Sequence, residues 1–288
     1  MVDRYLVRYF LAVIDLGSFS KAAKHLNVAQ PTLSVGVAKL ERLLGTSLFH
    51  RSSQRVHLTD AGVRFAVHAR RIESDFNVAE ASVLNMKPTT TLRCGVISTY
   101  PTTALAEVVR GAQRANQAER LELVSGSERE LLQRLARGQI DLALTIVRPE
   151  SERFTSEPLF TEGYGVALHS SHPLAKRATL RAEELTDNPM IVRRHCEALS
   201  ETSRHFTERG VRPFFAFRGT NDDQILALVR AGLGLTVMPM SYAANGVSRP
   251  TLSGFALQRT IGLLYAPHAE HTKLQTSPLL TVLRSRYR

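Results

Sequence analysis

The sequence predicts an α/β protein in which a helical N-terminal unit and a long seam helix precede two α/β lobes. Three observations carry that expectation. Residues 3–44 hold three amphipathic segments separated by Gly17 and by the turn Asn27-Val28-Ala29. Residues 65–83 carry apolar side chains at alternating spacings of four and three. From residue 91 onward, apolar strand-like runs alternate with amphipathic helical runs, the order that builds parallel sheets covered by helices.

The 288 residues are 43% hydrophobic and 22% charged, enough for two or three domains with separate cores. A net charge of +11 favours a polyanionic partner. No apolar run reaches the roughly 18 residues of a membrane span. The opening segment MVDRYLVRYFLAVIDLGSFS is interrupted by Asp3, Arg4, Arg8 and Asp15, so it reads as an amphipathic helix and not a signal peptide. With only Cys94 and Cys196, a disulfide scaffold is excluded. The expectation is a soluble cytoplasmic protein without a membrane partner.

In the first helix Leu6, Phe10, Val13 and Ile14 recur at helical spacing, and Gly17 ends it. Ser18 is placed to cap the second, whose inner positions are Phe19, Ala22, Ala23 and Leu26; the two alanines allow close helix crossing. Pro31 suits the first turn of a third helix, where Leu33, Val37, Leu40 and Leu44 form one stripe. This is the layout of a helix-turn-helix, with a recognition helix from about Gln30 to Leu44. Its outer face carries Pro31, Thr32, Val35 and Lys39, with Gln30 and Ser34 at the stripe's edges; Ser20 on the preceding helix is a further expected DNA contact. Gln and Ser side chains hydrogen-bond base edges, and an exposed Val meets a thymine methyl. A plain helical hairpin is the bland alternative. LFHRSSQRVHLT then reads as a basic β-wing whose Arg51 and Arg55 would hold flanking phosphates.

From Thr59 a long helix carries Phe65, Ala69, Ile72, Phe76, Ala79 and Val83 as a heptad seam. Dimerisation along that seam is the expectation, against packing on its own domain. NMKPTTT reads as a linker. The expected division is residues 1–58 for the winged helix-turn-helix, 59–86 for the dimerisation helix, 87–91 for a hinge and 92–288 for the α/β part. Within that part, 92–161 and 265–288 form lobe I and 162–264 form lobe II. The chain would cross between them near Thr161–Leu168 and Ala256–Leu264.

The phrases GSFSKAAKHLNVAQPTLS, LERLLGTSLFHR and LTDAG, with GQIDLAL and AGLGLTVMP further on, resemble the LysR-type transcriptional regulators over essentially the whole chain. The resemblance implies a winged helix-turn-helix joined to a two-lobed effector-binding domain like the periplasmic binding proteins. It implies double-stranded promoter or operator DNA as partner, with Gln30, Pro31 and Ser34 at the major groove. It also implies a small-molecule effector between the lobes, a homodimer that commonly pairs into a dimer of dimers, and RNA polymerase as a further partner at the promoter. No cofactor and no metal are implied. The chain departs from the family at Val35, where a basic residue is frequent, and at Gly36, where Gln is common. Gly36 should weaken its helix by about 1 kcal/mol relative to Ala.

In such lobes ligands bind at the carboxyl ends of strands. Ser98, Thr99 and Tyr100 follow the first strand; Arg193, Arg194 and His195 follow MIV; Thr220 and Asn221 open another helix. Together they suit a small anionic effector, although helix capping alone accounts for each Ser or Thr. Cys196 follows Arg-Arg-His at a helix start, where a thiolate is favoured. Its place resembles the reactive cysteine region of the peroxide-sensing branch of the family. Nine residues on, where that branch has its disulfide partner, stands His205. Thiol-based redox sensing through Cys196 and an inert thiol beside the cleft both remain open. An enzyme is disfavoured, because no G-x-S-x-G elbow, P-loop, CxxC or metal-spaced histidine pair occurs. A solute-binding protein would lack the basic wing and the heptad helix.

Overall fold

The computed structural model describes residues 1–50, 56–83, 91–115, 119–148, 153–267, 269 and 274–287. Helix α1 (Arg4–Leu16) buries Leu6, Phe10, Val13 and Ile14, and Gly17 closes it at φ 62°, a left-handed conformation that glycine adopts without a Cβ clash. Ser18 accepts the N–H of Lys21 to start α2 (Phe19–His25), and Ala22 and Ala23 lie in the core. Asn27 turns the chain at φ 54° into α3 (Gln30–Leu44), which adds Leu33, Val37 and Leu40 to the same core. A bridge between Phe49 and Leu58 closes the base of the wing hairpin. Its tip, with Arg51 and Arg55, lies outside the described residues, as does most of the expected hinge.

Helix α4 (Asp60–Val83) is capped by Thr59, whose hydroxyl accepts the N–H of Gly62 and donates to the Ser47 carbonyl. At 1.5 Å per residue it is about 36 Å long. The predicted seam divides along it. Phe65 and Ala69 face inward, Phe65 packing edge-on against Phe10 at 5.1 Å. Ile72, Phe76, Ala79 and Val83 are exposed, with the Arg4 guanidinium 4.8 Å from the Phe76 ring centre. The helical unit uses the first half of the seam for its own core because α1 lies alongside it.

The α/β part begins with β1 (Thr91–Ile97), α5 (Thr102–Ala115), β2 (Arg120–Gly126), α6 (Glu128–Ala136) and β3 (Leu142–Ile146). Strands β2 and β3 flank β1 in parallel, as the βαβ order requires. Ser127 and Glu130 cap α6 reciprocally, the box the sequence spells out. The long β4 (Thr155–His169) and β11 (Gln258–Tyr265) then break the parallel pattern. Strand β11 is antiparallel to both β3 and β4. A purely parallel sheet is therefore replaced by a mixed one, since the chain must enter and leave lobe II on adjacent strands. The apolar residues of β11, which fall in the expected lobe II, pack in the lobe I core with the C-terminal helix α9 (Pro278–Arg286) and α5.

Lobe II holds the short β5 (Thr179–Leu180), then β6 (Met190–Arg193), α7 (Leu199–Glu208), β7 (Phe215–Gly219), α8 (Asp222–Arg230), β8 (Thr236–Pro239) and the short β9 (Val247–Ser248) and β10 (Thr251–Leu252). Strands β6 and β7 are parallel, and the far end of β4 pairs with β8. One strand thus belongs to both lobes. The helical unit touches lobe I directly, where the Gln139 amide donates to the Ile14 carbonyl at 2.9 Å. Among the described residues no helix is long and apolar enough to cross a membrane.

Gly36 has a packing reason that its helix position hides. It is buried, and a Cβ there would lie 2.5 and 2.8 Å from two ring carbons of Tyr9, itself packed edge-on against Tyr5. Alanine would recover about 1 kcal/mol of helix propensity against about 1–3 kcal/mol of overpacking. Gly36→Ala is therefore expected to lower the stability of the helical unit by about 1 kcal/mol net in urea unfolding. In a Tyr9→Leu background the same substitution should stabilise it.

Candidate functional site

The outer face of α3 is presented as its sequence pattern requires. Gln30, Pro31, Thr32, Val35 and Lys39 are exposed, Ser34 is half-buried, and Ser20 is exposed on α2. Gln30 donates to the Ser34 hydroxyl at 3.0 Å, which pre-orders both side chains on the first turn of the helix. Lys39 is held by Tyr5, its ammonium donating to the phenol oxygen at 3.0 Å, a contact that raises the Lys39 pKa. Tyr5 was legible only as part of an amphipathic helix; nothing in its spacing ties it to Lys39.

A second site lies where the lobes meet. Arg259 on β11 stands opposite Glu162 on β4 in the antiparallel ladder. Its Nε and Nη2 donate to Glu162 Oε1 at 2.9 and 2.8 Å. Nη1 reaches Glu197 Oε1 at 2.6 Å and the Thr99 hydroxyl at 2.9 Å, and Nη2 reaches the Thr99 carbonyl at 3.0 Å. Glu162 also accepts the backbone N–H and hydroxyl of Ser241. Tyr164 donates to Glu197 at 2.7 Å. Arg259 first, then Arg193 and the Tyr164 hydroxyl, hold the Glu197 carboxyl below the usual carboxylate range despite its burial.

Beside this cluster Arg193, at the end of β6, is 4% exposed and bound bidentately by Asp222 at 2.7 and 2.5 Å. Its Nη1 donates to the Val237 carbonyl and to the Cys196 sulfur, both at 3.2 Å. The Ala198 N–H is a second donor to that sulfur, also at 3.2 Å. Burial raises the Cys196 thiol, with Glu197 and Asp222 pushing the same way, while Arg193 and the Ala198 N–H pull back; the balance is upward. Removing one partner of a pair such as Arg193–Asp222 costs about 3–5 kcal/mol, because the other charge is left uncompensated.

Cys196 opens on a cleft of about 770 Å³ between the lobes. Ile97, Ser98, Ser127, Arg129 and Phe154 line it from lobe I, and Arg194, His195, Cys196 and Glu197 from lobe II. Three of the eight expected effector residues, Ser98, Arg194 and His195, are thus brought together. The other five are not in the wall. Thr99 is committed to Arg259, Tyr100 donates to or accepts from the Tyr287 hydroxyl, and Arg193 is committed to Asp222. Thr220 is exposed, and Asn221 caps α8 by accepting the Gln224 N–H. Cys94 is buried in β1 and its thiol is pushed up to about 12 by desolvation. His205, nine residues beyond Cys196, is buried against Phe255. Sequence reading missed Arg259, Glu162, Asp222 and Glu197, since only strand pairing brings residues 97 positions apart into contact.

Comparison with known proteins places this geometry in a family. The bacterial regulatory helix-turn-helix model of the lysR family matches residues 5–63, and the LysR substrate binding domain model matches residues 86–287. A probable hydrogen peroxide-inducible genes activator of Mycobacterium avium is 31% identical over 90% of this chain and 86% of its own. The DNA-binding transcriptional dual regulator OxyR of Escherichia coli K12 is 28% identical over 91% and 88%. Among solved structures, a full-length OxyR variant from Pseudomonas aeruginosa superimposes with a TM-score of 0.69 at 22% identity, covering 99% of this chain and 95% of that one. The LysR family regulator CbnR does so at 0.56 and 20%, covering 99% of each. The helix-turn-helix, the long helix and the two lobes are those of a transcriptional regulator, and the chain belongs to the LysR family.

Proposed function

We propose that this LysR-family regulator works in the cytoplasm as a peroxide-responsive switch on promoter DNA, with Cys196 as the reactive thiol. The observation that carries the reading is the place of Cys196 in the interlobe wall, with two N–H donors aimed at its sulfur. Those donors favour the thiolate that attacks a peroxide, and they remain to hold the product. Relatives described as hydrogen peroxide-inducible genes activators support the same reading. In the reaction an S–O bond forms as the O–O bond breaks, sulfur loses two electrons, and the thiol proton ends on the departing hydroxide as water. With Cys94 buried in lobe I and His205 at the ninth position, the oxidised form is a sulfenic acid and not an intrachain disulfide.

Two copies joined along the exposed half of α4 would present two recognition helices to two half-sites. Gln30, Pro31 and Ser34 would read bases, with Thr32, Val35, Lys39 and Ser20 around them. Arg51 and Arg55 would contact phosphates. Because Ile72 and Phe76 are exposed, Phe76→Asp is expected to shift the protein towards monomer in sedimentation velocity. Its helical unit should remain folded, with an unchanged far-ultraviolet circular dichroism spectrum, so that the shift reads the interface and not unfolding.

A second reading has its own support. Arg129 and Arg194 line the cleft without an ion-pair partner among the described residues, an arrangement suited to a small anionic ligand. A footprint on the DNA upstream of the protein's own gene, with and without peroxide, separates the two. A protected region that changes with peroxide in the parent and not in Cys196→Ser is the expected result. A pattern identical in all samples would sink the peroxide reading and leave the anionic ligand. Since the Cys196 thiol lies above its ordinary value, the fraction present as thiolate grows as pH rises through neutrality. The rate of oxidation by peroxide should rise with it, which a stopped-flow pH series would show.

A further inference from the structure

The end of β6 and the start of α8 join in one buried arrangement. Asp222 grips the Nε and Nη2 edge of Arg193, the Val237 carbonyl takes one contact from Nη1, and the Cys196 sulfur takes another. The guanidinium also lies 6.0 Å from the Tyr242 ring centre. With its other edge held, Arg193 has one orientation in which an N–H meets sulfur, so the donor is positioned before any oxidant arrives. Asp222 is also the countercharge nearest that donor. It weakens the positive field that Arg193 exerts on the sulfur while fixing the geometry.

We propose that Arg193 is the positioning residue of the Cys196 thiol and that Asp222, chiefly through its grip on Arg193, sets how strongly the thiol is activated. The proposal rests on the reading of Cys196 as the reactive group. The charged and titratable groups around the sulfur come from several elements. Arg193 belongs to β6 and Asp222 to α8, Glu197 is the next residue in the chain, and Tyr164 on β4 and Arg259 on β11 reach it through Glu197. Of these, Arg193 alone among the side chains donates to the sulfur. The pair therefore acts in two senses. Losing Arg193 removes the donor and its charge together. Losing the Asp222 charge leaves the donor in place and frees its field.

The opposed signs give the test. The pH profile of iodoacetamide alkylation at Cys196 is followed by peptide mass spectrometry in the full-length protein, beside the rate of oxidation by hydrogen peroxide. Arg193→Met is expected to move the profile upward and slow alkylation at neutral pH about tenfold, one pKa unit being a factor of ten. Asp222→Asn should move it downward and speed alkylation several-fold. Arg193→Lys should recover part of the parent rate. Where a single variant fails to fold, Arg193→Met with Asp222→Leu replaces the ion pair by apolar groups and is expected to move the profile above the parent, though not beyond Arg193→Met, because the direct push of Asp222 on the thiol is lost too. A merely structural role would loosen the loop and move both single variants the same way, which overturns the proposal. A double variant with the parent profile also overturns it. Alkylation does not depend on peroxide chemistry, so a parent that peroxide fails to oxidise overturns the functional reading, and unsplit alkylation profiles overturn this one.

Discussion

The guanidinium of Arg259 is the constraint on which the effector half depends. It is 2% exposed at the side chain and has five N–H donors, and each finds an acceptor on Glu162, Glu197 or Thr99. Those acceptors come from the crossing strand β4, from the turn after β1 in lobe I and from the loop after β6 in lobe II, while Arg259 itself stands on the other crossing strand. A change in the relation of the lobes must break buried, charge-assisted contacts or carry them along as a unit. Such a cluster favours discrete arrangements over continuous flexing. Glu197 is both a member of the cluster and the neighbour of Cys196, so the proposed chemistry at the sulfur would take place one peptide bond from the pin.

Two buried arginines therefore divide the work at the lobe junction and in lobe II beside it. Arg259 is neutralised by two carboxylates and holds position. Arg193 is neutralised by one and spends its remaining donors on a carbonyl and a thiol. An added oxygen on the Cys196 sulfur would meet donors from Arg193 and Ala198 at once, so the segment 193–199 is where the product must be accommodated. Among the described residues Glu197 Oε2 is buried in the same segment without a hydrogen-bond partner, a cost that a rearranged loop would relieve. Lobe I in turn touches the first helix of the DNA-binding unit through Gln139, a contact that bypasses the linker.

Much of the fold was legible because its signals are local. Gly17, Ser18, Asn27 and Pro31 mark helix ends by backbone chemistry alone, and the Ser127–Glu130 box needs three residues of spacing. The alternating strands and helices gave two lobes, yet could not show that β11 runs antiparallel between β3 and β4. The heptad pattern was real but had two faces to serve, and apolar spacing does not tell an inward Ala69 from an outward Phe76. At the cleft, Ser98, Arg194, His195 and Cys196 were found because strand ends converge there. Thr99 and Arg193 passed as ligand groups because a sequence does not display Arg259 or Asp222 beside them. Gly36 looked like a weakness of its helix until Tyr9 was seen against it.

The claim most exposed to refutation is that one thiol of the two reacts. Peroxide treatment of the intact protein in the presence of dimedone, followed by peptide mass spectrometry, reads this directly. The account predicts a dimedone adduct on the peptide holding Cys196 and an unmodified Cys94, whose burial and high pKa withhold the thiolate. Adducts on Cys94 first, or a disulfide joining the two cysteines, would contradict it.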